Sequence, residues 1–299
     1  MNPIVECVPN FSEGRRQEVI EAIADTIRAV EGVRLLDYSS DQNHNRSVFT
    51  FIGNPESVKE AAFLSCKKAA ELIDMTKHKG EHPRMGATDV IPFVPIKDIS
   101  VAECVELSRE LGSEIAKKLS IPVFLYEESA TRPERRNLAN IRKGQFEGMA
   151  EKIKDPNWAP DFGKHEIHPT AGVVAVGARM PLIAYNINLG TSDIKIADKI
   201  ARLIRERDGG LKNVRAIGVM LEDRNIVQVS INMVNYEKTA LYRAFEMVKM
   251  EAKRYGVNII GSEIVGLTPM KALIDVAEYY LQLENFDFNK QILENYLLQ

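Results

Sequence analysis

The sequence predicts an α+β fold in which one β-α-β-β-α-β unit occurs twice. Short runs rich in β-branched and aromatic residues alternate with longer segments whose apolar residues recur at helical spacing. The same order of elements returns after residue 180, and both copies place a polar turn between their second and third strands. This unit is the ferredoxin-like one. We therefore expect a duplicated sandwich with two subdomains, 1–178 and 179–299, and a substrate groove between them.

The first copy is the longer one because it carries an insertion. Its β-α-β-β-α part is predicted as a strand at Ile4–Asn10, a helix over 15–30 capped by Ser12, strands at Val33–Asp37 and Ser47–Gly53, and a helix from Pro55 to about Asp74. The insertion is predicted as a strand at Val90–Pro95, a helix over about 100–119, a strand at Ile121–Tyr126, a basic segment at 131–144 and a connecting loop at 154–172.

The second copy repeats the pattern without the insertion. Its predicted elements are a strand at Leu182–Asn188, a helix containing Ile196 and Ile204, strands at Val214–Leu221 and Ile226–Val234, a helix over about 237–255 and a strand at Asn258–Glu263. We expect each unit to place two helices on one face of its sheet and to leave the other face free.

Composition narrows the class of protein. The chain has 299 residues and a net charge of −3, and a mildly acidic balance of this kind argues against general nucleic-acid binding. The three cysteines form no CxxC pair, so the sequence offers neither a zinc ribbon nor a thioredoxin-like motif. The N-terminus lacks the features of a signal peptide, and no window approaches 18 apolar residues. These features predict a cytoplasmic protein.

Most of the chemistry-bearing residues fall in the segment His78–Asp89. Histidines at i and i+4 are typical of a helical zinc motif, but Gly80 and Pro83 make a continuous helix unfavourable here, so no metal is expected. What remains is a stiff loop that presents His82 beside several charges. An imidazole titrates near neutral pH and suits proton transfer to or from an amine. From the residues alone, a solvated loop histidine is the competing interpretation.

A second cluster of histidines lies in the segment Gly163–Gly172. His165 and His168 could be half of a metal site, but no further Cys or His lies nearby in sequence. The alternatives are an ordinary surface connection and a loop that wraps a ligand. The basic run 131–136, which continues to Arg142, is likewise either a solvated helical face or an anion-binding wall. Glycine-rich phosphate motifs and a G-x-S-x-G elbow do not occur.

Several segments, in this order, resemble the formimidoyltransferase domain family over nearly the whole chain. They are Val5–Gly14, the strand before Gly53, His78–Asp89, Leu125–Glu127, Ala159–Gly163, Gly177–Arg179, Asn186–Leu189, Ile264–Leu267 and Pro269–Leu273. The resemblance implies transfer of a formimidoyl group between N5 of tetrahydrofolate and the amino group of L-glutamate. It agrees with a duplicated ferredoxin-like fold. Animal members are fused to a cyclodeaminase; because this chain stops at Gln299, that activity is not expected.

The resemblance also implies site residues and partners. His82 would be the acid/base, tetrahydrofolate the co-substrate, and the assembly a homodimer without a metal. The expected folate-binding residues are Gly163, Lys164, His165, Glu166, Ile167, His168, Pro169, Thr170, Ala171 and Gly172. Both substrates are anionic, and the basic residues in the matched segments, Lys79, Arg84, Lys164 and Arg179, are the suggested charge partners.

Three other functions stay open from the sequence. Formyl and formimidoyl groups differ by O for NH, so a formyltransferase or cyclo-ligase-like enzyme acting on 5-formyltetrahydrofolate is an alternative. A folate-binding protein without turnover is another, although binding alone needs no proton shuttle at His82. A metallohydrolase is the weakest, because no complete set of metal ligands is present in either cluster.

Overall fold

The computed structural model describes residues 3–296. The chain divides into two compact units, Met1–Arg179 and Met180–Gln299. Both contain helices packed on a sheet, so the predicted α+β class is confirmed. Within the described residues, no helix combines the length and the apolar character that crossing a membrane requires.

The first unit contains a seven-stranded sheet. Its strands are β1 (Ile4–Cys7), β2 (Asn10–Phe11), β3 (Val33–Asp41), β4 (Arg46–Gly53), β5 (Thr88–Lys97), β6 (Val123–Glu127) and β7 (Val174–Ala178). Its α-helices are α1 (Gln17–Arg28), α2 (Pro55–Leu72), α3 (Val101–Leu119), α4 (Leu138–Arg142) and α5 (Gln145–Lys152). Both β1 and β2 lie between β4 and β5, with β3 outside β4, and β7 and then β6 follow beyond β5.

The predicted first strand, Ile4–Asn10, is interrupted in the structure. Pro9 lies in the break between β1 and β2, and proline has no N–H to donate to a neighbouring strand. The chain nevertheless stays in the sheet, because the Val8 N–H donates to the Pro92 carbonyl at 3.3 Å and the Phe49 N–H donates to the Pro9 carbonyl at 3.0 Å. The two short strands therefore act as one central strand of the sheet.

The predicted capping of α1 by Ser12 is wrong. The Ser12 hydroxyl donates to the Gly86 carbonyl at 2.7 Å, and α1 begins only at Gln17. The buried Glu13 carboxylate instead accepts from the Arg15 and Arg16 N–H groups, at 2.9 Å each. Glu13 thus fixes the turn before α1, and Ser12 holds the segment that precedes β5.

Strand β7 was not predicted, because its sequence does not alternate. All five residues of Val174–Ala178 are buried, and the strand runs parallel to both β5 and β6. A parallel strand covered on both faces appears as a continuous apolar run rather than as a period of two. The predicted strands and helix of the insertion are confirmed as β5, α3 and β6, with boundaries shifted by at most two residues.

The sheet of the first unit is covered on both faces along β5, β6 and β7. Helices α1, α2 and α3 pack on one face around a core that includes Ile23, Phe51 and Leu111. On the other face, Phe124 and Tyr126 of β6 pack with apolar residues of α4 and α5. The expectation of a free second face is therefore wrong for this part of the unit, because α4 within the basic segment and α5 directly after it cover that face.

The second unit repeats the β-α-β-β-α-β succession. Its elements are β8 (Ile183–Leu189), α6 (Ile194–Ile204), β9 (Val214–Leu221), β10 (Ile226–Met233), α7 (Leu241–Lys253), β11 (Ile259–Val265), α8 (Met270–Leu281) and α9 (Phe288–Gln291). The strand order β11-β8-β10-β9 has the same arrangement as the β5-β1/β2-β4-β3 part of the first sheet. Helix α7 begins at Leu241 rather than near 237, because the Asn235 side chain accepts from the Glu237 and Lys238 N–H groups and forms a turn first.

Candidate active site

The segment 78–82 lies against the turn that joins β3 to β4. The Asn45 side chain donates to the Lys79 carbonyl at 3.0 Å, and the Glu81 N–H donates to the Asn43 carbonyl at 3.2 Å. A side chain at Gly80 would meet backbone: its Cβ would lie 2.3 Å from the His44 carbonyl oxygen. Glycine at this position therefore permits the close approach of two loops that are distant in sequence.

His78 has a structural role in this contact. Its Nε2 lies 3.0 Å from the Asn45 carbonyl oxygen, and its Nδ1 lies 3.1 Å from Arg84 Nε. Because arginine can only donate, Nδ1 accepts and Nε2–H donates, so both ring nitrogens of a neutral imidazole are used. Burial is the largest cause that lowers the pKa of His78, which favours this neutral form.

His82 lies beside a group of cations. Its Nε2 is 2.9 Å from Nη1 of Arg46, the first residue of β4, and this nitrogen must accept because the guanidinium only donates. Burial first, and then the charges of Arg46 and Arg142, lower the pKa of His82 from 6.5 to about 3. The His44 ring, 6.4 Å away between centroids, contributes in the same direction. His82 is therefore neutral at physiological pH, with a lone pair on Nε2.

Asp89 fixes one of these cations. Its buried carboxylate accepts from the Met85 N–H at 3.0 Å and forms an ion pair with Arg142 at the end of α4. This pair connects the beginning of β5 to the end of α4. Sequence reasoning missed Arg46 as a site residue and treated Arg142 only as the end of a basic run; no local pattern marks either one.

The suggested charge partners lie in different environments. Arg84 is buried, and its guanidinium donates to both carboxylate oxygens of Glu147, at 2.6 and 2.9 Å, and to Gln145 at 2.8 Å. Its charge is thus matched inside the protein. Lys79 and Lys164 are exposed. Arg179 directly follows β7, where its N–H donates to the Phe93 carbonyl and its charge offsets the rise in the pKa of Glu6 that burial causes.

The segment 163–172 ends against the His82 loop. The Ala87 N–H donates to the Ala171 carbonyl at 2.9 Å, and the Val173 N–H donates to the Met85 carbonyl at 3.1 Å. Gly172 has φ +71°, and a Cβ on it would lie 2.3 Å from the Met85 carbonyl oxygen. The structure therefore brings the C-terminal ends of the segments 78–89 and 163–172 side by side.

Within the segment 163–172 the two histidines differ. His168 Nδ1 accepts from the Ala171 N–H at 3.0 Å, and the His168 and Gly172 backbones exchange two hydrogen bonds of 3.0 Å each. His168 thus shapes a closed turn. His165 is exposed together with Gly163, Lys164 and Glu166. No group of three or more His, Cys, Asp or Glu that could hold a metal ion occurs among residues 3–296.

Comparison with known proteins decides the family. The family model described as "Formiminotransferase domain, N-terminal subdomain" matches residues 4–179, and the model described as "Formiminotransferase domain" matches residues 184–295. The chain belongs to the formiminotransferase family. This confirms the resemblance found in the sequence, and the first family model ends at residue 179, the last residue of the first compact unit.

Relatives in the formiminotransferase family cover the chain almost completely. A protein of Streptococcus pyogenes named glutamate formimidoyltransferase is 66% identical over 100% of both chains. A protein of Thermoplasma acidophilum with the same name is 53% identical over 95% of this chain and 94% of its own. The mouse formimidoyltransferase-cyclodeaminase is 46% identical over 95% of this chain and 53% of its own length.

The basic run 131–136 does not form a helical face in the structure. Residues Pro133–Arg135 form a single 3-10 turn, and the Arg135 side chain is 1% exposed. Its guanidinium donates to Asp161 at 2.8 Å and to the Ala159 carbonyl at 2.5 Å, and it packs over Phe124. Arg135 therefore holds the connecting loop 154–172 against the sheet. Both interpretations of this run made from the sequence, a solvated face and an anion-binding wall, miss the role of Arg135.

Proposed function

We propose that this protein transfers a formimidoyl group between 5-formimidoyltetrahydrofolate and L-glutamate, with His82 as general acid–base. Family membership and the 66% identity to a glutamate formimidoyltransferase over the full chain support the reaction. The observation that carries the role of His82 is its neutral ring, whose Nε2 lone pair lies among arginines at a surface loop. We include a cytoplasmic location and a homodimer in the proposal, on the strength of the family relationship.

The proposed chemistry needs one proton carrier. The glutamate amine attacks the formimidoyl carbon; a C–N bond forms, the C=N π electrons move to the imino nitrogen, and Nε2 of His82 takes the proton that the amine loses. In the tetrahedral intermediate the imino nitrogen then restores its C=N bond as the bond to N5 breaks. The His82 imidazolium returns its proton to N5, so the ring ends neutral as it began. No protein nucleophile takes part.

The electrostatic environment of His82 supports its acid–base role when the negative charges of the substrates are taken into account. An imidazole with a pKa of about 3 is a weak base at neutral pH, because burial and the neighbouring cations disfavour its protonated form. Glutamate and folate both carry carboxylates. Carboxylates bound among Arg46 and Arg142 would offset those positive charges and raise the pKa of His82 toward the working pH, where proton transfer in both directions is most efficient. Holding two substrates in contact supplies a further part of the rate.

The test of the acid/base role is turnover of purified His82→Ala and His82→Gln. We expect the rate of formimidoyl transfer to fall by roughly 10²–10⁴-fold, the usual contribution of general acid–base catalysis. Circular dichroism of both variants checks that the fold is kept. Parallel assays with 5-formyltetrahydrofolate separate formimidoyl from formyl transfer. A wild-type rate in the folded His82→Ala variant would remove the assignment.

We propose that the exposed part of 163–172 contacts the folate. Lys164, His165 and Glu166 are exposed, whereas Ala171 and Gly172 are buried. Replacing residues 164–166 by Gly-Ser-Gly should therefore leave the fold intact and weaken tetrahydrofolate binding by about tenfold or more, the cost of losing one charged contact. The KM for L-glutamate serves as the internal control. Unchanged tetrahydrofolate affinity would remove the folate role of these residues.

A further inference from the structure

The basic groups around His82 differ in whether a carboxylate lies beside them. The groups that lower its pKa by charge are Arg46, Arg142, His44 and Arg84. Three of them have a carboxylate of their own: Arg142 pairs with Asp89, Arg84 with Glu147 at 2.6 Å, and His44 with Asp41 at 3.0 Å. Arg46 forms no ion pair with a carboxylate among residues 3–296, and its guanidinium donates to the neutral His82 ring.

The surroundings of Arg46 make it energetically unfavourable to leave its guanidinium without a carboxylate partner. Burial, with the nearby charge of Arg142, lowers the pKa of Arg46, and Asp89 and Asp41 offset this only at longer range. A partly buried guanidinium whose bonded partner is neutral keeps most of its positive charge uncompensated. Arg46 is therefore the member of this group best suited to receive an anion from outside the protein.

We propose that Arg46 binds the α-carboxylate of L-glutamate and that this carboxylate replaces His82 Nε2 as the acceptor of the guanidinium. The proposal rests on the proposed function and names one residue that positions the acceptor substrate. Arg46 does not transfer the proton itself; it sets where the amine lies and when the lone pair on His82 is available.

The spacing of the two protein groups fits an α-amino acid. Arg46 Nη1 and His82 Nε2 are 2.9 Å apart. In an α-amino acid, the amine nitrogen and the nearer carboxylate oxygen are joined through Cα and one carbonyl carbon, which places them about 3 Å apart. One L-glutamate molecule can therefore present its carboxylate to Arg46 and its amine to His82 at the same time. An amine without an α-carboxylate cannot make both contacts.

The direct test follows the His82 ring by NMR in the full-length protein labelled with ¹⁵N-histidine, with His82→Gln used to assign the signal. The dead-end mixture of tetrahydrofolate and L-glutamate is compared with tetrahydrofolate alone and with tetrahydrofolate plus 4-aminobutyrate, which lacks the α-carboxylate. We expect only L-glutamate to raise the pKa of His82, by about 1–3 pH units, the usual effect of a charge at this distance.

Variants of Arg46 complete the test. Arg46→Gln should raise the pKa of His82 before any addition and abolish the response to L-glutamate. It should lower kcat/KM for L-glutamate by about 10- to 100-fold, the range for loss of a charge-assisted contact, and leave the KM for tetrahydrofolate unchanged. Arg46→Lys, which keeps the charge but loses the planar donor pair, should recover part of the loss. Arg109→Gln, an exposed arginine on α3 paired within its own helix, is the matched control.

Each outcome separates this inference from the proposed function. A wild-type protein with no formimidoyl transfer would overturn the proposed function. Wild-type turnover together with a His82 signal that L-glutamate does not shift would overturn the role of Arg46 alone. A shift produced by tetrahydrofolate alone would assign Arg46 to a folate carboxylate instead and refute the glutamate assignment, as would a full response in folded Arg46→Gln.

Discussion

Replacing His82 by glutamine should make the free energy of unfolding of the first unit decrease less at acid pH. In the folded protein the pKa of His82 is about 3, whereas an unfolded chain titrates near 6.5. Between these two pKa values the unfolded chain binds a proton that the folded protein does not. The contribution of His82 to the free energy of unfolding is therefore fully present above pH 6.5 and is lost as the pH falls. Glutamine has no such titration, and its side-chain oxygen can still accept from Arg46.

The size of the effect follows from proton linkage. Between pH 7 and pH 5, one group with these two pKa values removes about 2 kcal/mol from the free energy of unfolding. The ring is only partly buried, so solvent screening reduces the expected loss to about 1 kcal/mol. The wild-type protein should thus lose about 1 kcal/mol more than His82→Gln over this interval. His78 and His168 also have lowered pKa values, but their contributions are common to both proteins and cancel.

Urea unfolding at pH 7 and pH 5 provides the measurement. Trp158 is the single tryptophan of the chain and packs against the core beside α5, so its fluorescence reports on the first unit. The free energy of unfolding is compared between the two proteins at each pH. Equal losses in wild type and His82→Gln would refute the claim that the fold holds this ring neutral.

Two further predictions concern the contacts that hold the site. Gly86→Ala should lower the free energy of unfolding by roughly 2–3 kcal/mol, because its Cβ would lie 2.0 Å from the Val173 carbonyl oxygen. Gly148→Ala, in α5, is the matched control, because its Cβ would meet no atom within 4 Å outside the backbone of its own helix. It should stabilise the protein by about 0.5–1 kcal/mol in thermal unfolding, and equal effects of the two substitutions would contradict the packing argument. Arg135→Met should cost about 3–5 kcal/mol in urea unfolding because it leaves the Asp161 carboxylate without its ion-pair partner, and a change below about 1 kcal/mol would show that the pair does not anchor the connection.

The local sequence pattern predicted most of the helices and strands. It failed where contacts with neighbouring parts of the fold determine the local structure. Helical spacing located α1, α2, α3 and α6 because each packs one apolar face on a sheet. The break at Pro9 and the late start of α7 depend on single residues whose hydrogen bonds involve a neighbouring strand or turn. Strand β7 has no alternation to detect, since other elements cover both of its faces.

For the site, the sequence by itself predicted that the loop around His82 carries the chemistry, and it determined that this loop is not a helical metal motif. Gly80 and Pro83 act on the backbone of their own segment, so their effect is visible in the sequence. Only the tertiary structure decided the electrostatics of His82. Arg46 lies 36 positions away in the chain, and Arg142 is held by Asp89 across an intervening helix and strands. A pKa depends on distances between charges and on burial, and both arise only when the strands and loops have packed.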